Sequence, residues 1–376
     1  MVKVMTIVGT RPELIKMSAV IACVDQVSEH VLVHTGQNFD PNLSDVFFEE
    51  LGIRAPDHYL GVAASTAAEA IANVIHHVDK VLELEKPDAV LIYGDTNSGL
   101  AVIPAKRRKI PIFHMEAGNR CFDQRVPEEL NRKVIDHLSD INMVLSEQAR
   151  SNLLAEGIAS NTIFNVGSHM KEVLERNKHK IAESTVLETL GLTSEQYFLV
   201  SMHREENVDQ DSKLRVLVAS LEELSAKYGY PIIVSTHPRT RKRLEALGVE
   251  AESKSVRFLE PFPFFSYIKL QQQAFCVISD SGTIFEESAL LDLPAITIRD
   301  AHERPEGIDA GTLIIADMST SGILNAVDAV RKTRFGSHFA GPIGDYDVEV
   351  VSSKVARIVL SYIGFVNRVV WRKPEA

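Results

Sequence analysis

Cysteine is scarce: Cys23, Cys121 and Cys276 are the only three in 376 residues, and they lie far apart. An odd number spread this way supports no disulfide framework and fits a reducing compartment. No apolar run reaches the roughly 20 residues that span a bilayer, which argues against membrane insertion. The opening MVKVMTIVGT has no basic region, apolar core and cleavage site of a signal peptide, so the expected location is the cytoplasm. Neither G-x-G-x-x-G nor G-x-x-x-x-G-K-[ST] occurs, which removes the usual dinucleotide fingerprint and P-loop chemistry. Metal-ligand spacing is missing too, since His76 and His77 are adjacent and point in different directions on a helix. An excess of positive charge is also absent. With 51 acidic against 40 basic residues the net charge is -11, which favours solubility and argues against general nucleic-acid binding. An anionic ligand therefore has to meet local positive charge.

What is present is a series of short Val-, Ile- and Leu-rich runs, each closed by a small or polar turn and followed by a helical pattern. The first series is VKVMTIV, VLVHTG, AVLIYGD, IPIFHME, INMVLS and TIFNVG; the second is YFLVSMH, PIIVSTH, VRFLEP, CVISDSG and PAITIRD. Buried parallel strands with helical crossovers read this way. The length exceeds what one core supports, and 45% hydrophobic residues are enough for two. The fold class is α/β, two Rossmann-like doubly wound domains over residues 1–170 and 171–376, with a polar helix near NVGSHMKEVLERNKHKI at the change. A final helix over about 350–372, broken by Arg357, Arg368 and Arg372, is read as packing back across the domains rather than lying on a membrane surface.

Doubly wound sheets bind ligands beyond the carboxyl ends of their strands, and these positions are loaded with functional side chains. After the first run comes Gly9-Thr10-Arg11-Pro12-Glu13, where Thr10 and Glu13 have capping-box spacing and Arg11 projects from a helix N-terminus that favours an anion. Later strand ends carry Asp95, Glu116, His203 to Glu206, His237-Pro238-Arg239 and Asp280 to Thr283. Singly each reads as a cap or a structural hydrogen bond; their convergence points to a site. Ser281-Gly282-Thr283 reads as a turn whose amides face a pyrophosphate, with Glu286 and Glu287 one turn into the helix, in reach of ribose hydroxyls. Thr283 and Glu286 also have the spacing of a second capping box. Arg299 and Arg304, set among acidic residues, read either as a solvated charge cluster or as a phosphate clamp.

Seven motifs in order resemble the non-hydrolysing UDP-N-acetylglucosamine 2-epimerases: Gly9 to Glu13, His34 to Gln37, Tyr93 to Thr96, His114 to Gly118 with Pro127 to Arg132, His203 to Asn207, Asp280 to Gly282, and Glu303 to Glu306. The resemblance implies glycosyltransferase-B architecture with an interdomain cleft, a homodimer and no bound cofactor. It implies Asp95, Glu116 and Glu128 as acid-base carboxylates and His203 against the phosphates. Arg11, His237, Ser281, Gly282 and Glu287 match UDP-contacting positions, with Thr283 in the same turn where the common form has a second Gly. Arg304 matches a position near sugar and phosphates, Lys16 is a further cation, and Tyr267 falls where the family places an aromatic by the uracil. The stretch from Glu116 to Glu129 departs from the commonest pattern. It looks closer to the branch that makes UDP-N-acetyl-L-fucosamine from its talose-configured epimer for O-antigen or capsule assembly.

The chemistry agrees with that resemblance. The C2 hydrogen of a glycosyl nucleotide adjoins an acetal carbon, so direct deprotonation gives no stabilised enolate. Elimination of UDP with the C2 proton, followed by re-addition from the opposite face, needs acid-base groups near C2 and a cationic cradle for the leaving pyrophosphate. Carboxylates set close together also push one pKa upward. The rival readings are a UDP-N-acetylglucosamine 2-epimerase, a glycosyltransferase of the same architecture, a hydrolysing epimerase and a silent nucleotide-sugar sensor. The three carboxylates speak against the glycosyltransferase and the sensor.

Overall fold

The computed structural model describes residues 1–36, 48, 50–249, 256–299 and 301–374, without the side chains of Glu205 and Glu206. The chain divides into two compact units, residues 1–173 with 345–376, and residues 174–344.

The first unit holds a seven-stranded parallel sheet in the order β3-β2-β1-β4-β5-β6-β7. Its strands are β1 (Lys3–Val8), β2 (Glu29–His34), β3 (His58–Tyr59), β4 (Ala89–Tyr93), β5 (Ile112–Ala117), β6 (Ile141–Val144) and β7 (Ile163–Asn165). Side chains alternate between two cores, as the pleat requires. Val4 and Val8 of β1 join Leu32, Leu91 and Phe113 under the helix Arg11–Val27, while Met5 and Ile7 join Val33, Ile92 and Ile112 under the helix Ala67–Glu85.

The second unit holds a six-stranded parallel sheet in the order β10-β9-β8-β11-β12-β13. Its strands are β8 (Phe198–Met202), β9 (Ile232–Thr236), β10 (Val256–Leu259), β11 (Cys276–Ser279), β12 (Ala295–Thr297) and β13 (Ile314–Ile315). Phe198, Val200 and Met202 face one core; Tyr197 and Leu199 face the other.

In both sheets the strand order reverses beside the first strand, between β1 and β4 and between β8 and β11. These switch points open the crevices in which doubly wound sheets bind ligands.

Residues 345–376, read from the sequence as part of the second domain, group with the first unit. The helix Ser352–Phe365 packs there, with Val351, Val355, Val359, Ile363 and Val366 in the core that contains Leu14 and Met17. Its apolar stripe is satisfied there by the helix Arg11–Val27. Glu172 fixes its start, accepting the N–H groups of Val351 and Ser352 at 2.8 Å. Among the described residues no helix is long and apolar enough to cross a membrane.

Candidate active site

In the first unit the carboxyl ends of β4 and β5, which pair side by side, present Asp95 and Glu116. Asp95 is fixed from two sides by the helix Pro127–Leu138: Asn131 Nδ2 donates to its carbonyl at 2.9 Å and Arg132 Nε to its Oδ2 at 2.7 Å. Arg132 Nη1 also donates to Oε2 of the fully buried Glu129 at 2.9 Å.

Glu116 sits at φ 65, in the left-handed region that a side chain with a β-carbon adopts at a cost. A register shift of β5 against β6 falls at the same place, between Met115 and Ala117, and turns the side chain out of the ladder. Its carboxylate receives Lys16 Nζ at 3.3 Å, Asn119 Nδ2 at 3.3 Å and the Tyr93 hydroxyl. Glu128 lies half-buried in the first turn of the helix whose next residue, Glu129, holds the N–H groups of Cys121 and Phe122 at 3.0 and 3.1 Å.

Behind these groups Asp136, fully buried with Arg120, accepts from Arg120 Nη1 at 2.7 Å and from the Gly118 N–H at 3.2 Å. His114 Nδ1 lies 2.8 Å from the same carboxylate. This network locks the turn that carries Glu116.

The carboxyl held well above its ordinary range is Glu13, at about 7. Burial is the main cause, the bonds from Thr96, Gly9 and Thr10 oppose it, and the charge of Asp95 adds to it. Arg11 opens the same helix, half-buried, with Pro12 behind it.

In the second unit Asp280, completely buried, binds the N–H groups of His203 and Arg204 at 3.1 and 3.0 Å and lies 3.1 Å from His203 Nδ1. Burial opposes its charge, but His203 and these amides hold the carboxyl below its usual range. His237 caps the helix Pro238–Ala246, its Nδ1 accepting the Arg239 N–H at 3.3 Å. Ser281, Gly282 and Thr283 form a half-buried turn before the helix Ile284–Leu291.

The second capping box does not form. Thr283 Oγ1 pairs with Ser281 Oγ at 2.9 Å, and Glu286 turns inward to Arg304 Nη2 at 3.5 Å. Arg299 and Glu303 pair at 2.6 Å, so the arginines of this segment are buried in ion pairs rather than solvated. Glu287 accepts from Gln271 Nε2 at 2.6 Å, and the Tyr267 phenol, raised by burial, bonds with Ser201 and Gln271. Among the described residues no cluster of His, Cys, Asp and Glu suits a metal ion.

A profile of the family described as UDP-N-acetylglucosamine 2-epimerase matches residues 22–359. Over 353 residues the chain is 36% identical to the UDP-N-acetylglucosamine 2-epimerase of Methanococcus maripaludis, covering 92% of this chain and 95% of the relative. The chain belongs to the UDP-N-acetylglucosamine 2-epimerase family. It is 35% identical over 330 residues to the UDP-2,3-diacetamido-2,3-dideoxy-D-glucuronate 2-epimerase of Pseudomonas aeruginosa, covering 86% of this chain and 91% of that one. The solved UDP-N-acetylglucosamine 2-epimerase structure from Rickettsia bellii superposes with a TM-score of 0.93 at 54% identity, covering 99% of this chain and all of that one. A glycosyltransferase from Rickettsia africae, 11% identical with a TM-score of 0.53, shares the glycosyltransferase-B fold alone.

Membership of the UDP-N-acetylglucosamine 2-epimerase family makes the chain an isomerase of UDP-sugars. Within it Arg11, Lys16, Asp95, Glu116 and Glu128 belong to the first unit; His203, His237, Tyr267, Ser281, Gly282, Thr283, Glu287 and Arg304 belong to the second. Gln37, the last residue of the second motif, lies outside the described residues. Glu13 and Arg132 escaped the sequence reading as site residues. The i,i+3 spacing of Glu129 and Arg132 was the available signal for the arginine.

Proposed function

We propose that the chain inverts C2 of a UDP-linked 2-acetamido sugar by elimination and re-addition of UDP. A carboxylate takes the C2 proton while the C1–O bond breaks and its electron pair leaves with UDP, giving a 2-acetamidoglycal. UDP then returns to C1 and a proton is delivered to C2 from the opposite face. The observation that carries this reading is the placement of Asp95 and Glu116 at adjoining strand ends of one switch point, with Glu128 on the helix that holds Asp95. Lys16, 3.3 Å from Glu116, puts a cation beside the acid-base group, where a leaving phosphate gains from it. His203, Ser281, Gly282 and Arg304 are assigned to the UDP moiety, Tyr267 to the side of the uracil, and the enzyme to a homodimer.

As substrate we propose UDP-2-acetamido-2,6-dideoxy-L-talose, converted to UDP-N-acetyl-L-fucosamine, on the strength of the segment from Glu116 to Glu129. A second reading, interconversion of UDP-N-acetylglucosamine and UDP-N-acetylmannosamine, is favoured by the names of the Methanococcus and Rickettsia bellii relatives. Proton NMR in deuterium oxide, with each UDP-sugar offered separately, decides between them. Deuterium entering C2 together with a UDP-linked epimer supports elimination and identifies the sugar. Release of free sugar instead points to hydrolysis, and no exchange with either compound overturns the proposal.

A further inference from the structure

The reaction scheme leaves Glu13 unused, although it is 2% exposed at the switch point. Its Oε2 accepts the N–H groups of Gly9 and Thr10, and its Oε1 accepts the Thr96 hydroxyl at 2.6 Å. A carboxylate that only capped its own helix would end at Thr10. This one reaches a residue 83 positions along the chain, directly after Asp95. Thr96 Oγ1 in turn accepts the Ser98 N–H at 3.2 Å, so the hydroxyl sits between Glu13 and the short helical turn that follows.

We propose that Glu13 is a positioning residue for the epimerisation: through Thr96 it fixes Asp95 and ties the turn after β1, which carries Arg11, to the turn after β4. The proposal rests on the acid-base role given to Asp95 above. Asp95 is then held at three points, its carboxylate by Arg132, its carbonyl by Asn131 and its neighbouring residue by Glu13. Protonation of Glu13 puts a hydrogen on Oε1, the oxygen that faces no backbone N–H, so the Thr96 hydroxyl must then turn from donor to acceptor. The Glu13 pKa, raised to about 7 chiefly by burial, puts that change near neutrality. The other charged groups around it are Asp95, engaged by Arg132; Lys16, engaged by Glu116; and Arg11 at the start of the helix.

The test uses Thr96→Val, Thr96→Ser, Glu13→Gln and the Glu13→Gln/Thr96→Val double variant, read by kcat and KM for C2 epimerisation and by UDP binding. Small displacements of a reacting group cost up to about 100-fold. Thr96→Val should therefore lower kcat by about 10- to 100-fold, with KM and UDP affinity within about threefold of wild type. Thr96→Ser should restore kcat. The double variant should be no slower than Glu13→Gln alone, because that change has already cut the link to Thr96. In wild type kcat should fall as pH drops through about 7, and Glu13→Gln should flatten that limb. Unchanged kcat in Thr96→Val, multiplicative losses in the double variant, or a rise in KM alone would overturn the proposal. If wild type itself exchanges no C2 proton with any UDP-sugar, the reaction assignment is what fails. Carbon-13 titration of the carboxyls then still judges the link: Thr96→Val should raise the Glu13 midpoint and move the Asp95 resonance, and an unmoved pair overturns it.

Discussion

Arg132 approaches Asp95 with Nε at 2.7 Å from Oδ2 while its Nη1 rests 2.9 Å from Glu129. One planar guanidinium thus spans a candidate acid-base group and a buried carboxylate that holds the Cys121 and Phe122 amides. Lysine offers a point charge and no fork. Arg132→Lys should lower kcat by about 10-fold or more. It should also destabilise the fold by about 3 kcal/mol through the stranded Glu129. Steady-state kinetics and urea unfolding check both, and a variant with wild-type kcat would remove Asp95 from the reaction or Arg132 from its support.

Phe122 has φ 56 and is 76% exposed. A β-carbon in that conformation costs about 1–2 kcal/mol, and an exposed ring returns little of it. Phe122→Gly relieves the strain and adds unfolded-state freedom of somewhat smaller size, about 0.5–1 kcal/mol. Its Tm should equal or exceed that of wild type. A clear drop in Tm would mean that the ring is covered in solution.

His34 is 3% exposed, stacks on Tyr59 at 5.3 Å and accepts the Gly36 N–H through Nδ1 at 3.1 Å. Burial lowers its pKa to about 4. The unfolded chain therefore binds the proton first, at its ordinary value near 6.5. Stability from this group is complete above about 6.5 and declines as pH falls toward about 4, by about 3 kcal/mol in all. Urea unfolding over that range should show the loss in wild type but not in His34→Gln, and parallel curves would refute it.

A β-carbon on Gly282 would lie 2.4 Å from Glu303 Oε1 and 3.3 Å from Arg299 Nη1. Those atoms belong to a buried ion pair and have little room to withdraw. Gly282→Ala should weaken UDP binding about 10-fold or more in titration calorimetry, since even 1.4 kcal/mol gives that factor. Unchanged affinity would place the nucleotide away from this turn.

Every described strand of three or more residues lies on a Val-, Ile- or Leu-rich run legible in the sequence, because buried parallel strands are apolar throughout. Of the two-residue edge strands, His58–Tyr59 carries no such run, and Ile314–Ile315 lies in the short run Leu313 to Ala316, which is not among the runs read as strands. Strand-end positions marked Asp95, Glu116 and His203 for the same topological reason. Glu13 was read as a cap because Thr-x-x-Glu spacing is identical whether the carboxylate stops at its own helix or reaches another loop. Glu128 and Glu129 are neighbours in sequence, yet one is half-buried and the other sealed, a difference that tertiary packing alone decides.

The placement of the tail bears on synthesis. Residues 174–344 interrupt the first unit, whose core needs Val351, Val355, Val359 and Ile363 from the last part of the chain. On the ribosome the interrupting unit is the first to have all its residues outside, whereas the earlier-made strands of the other unit must wait with one apolar flank uncovered. Holding such a surface until the terminus emerges is the period of greatest exposure to aggregation and chaperone capture.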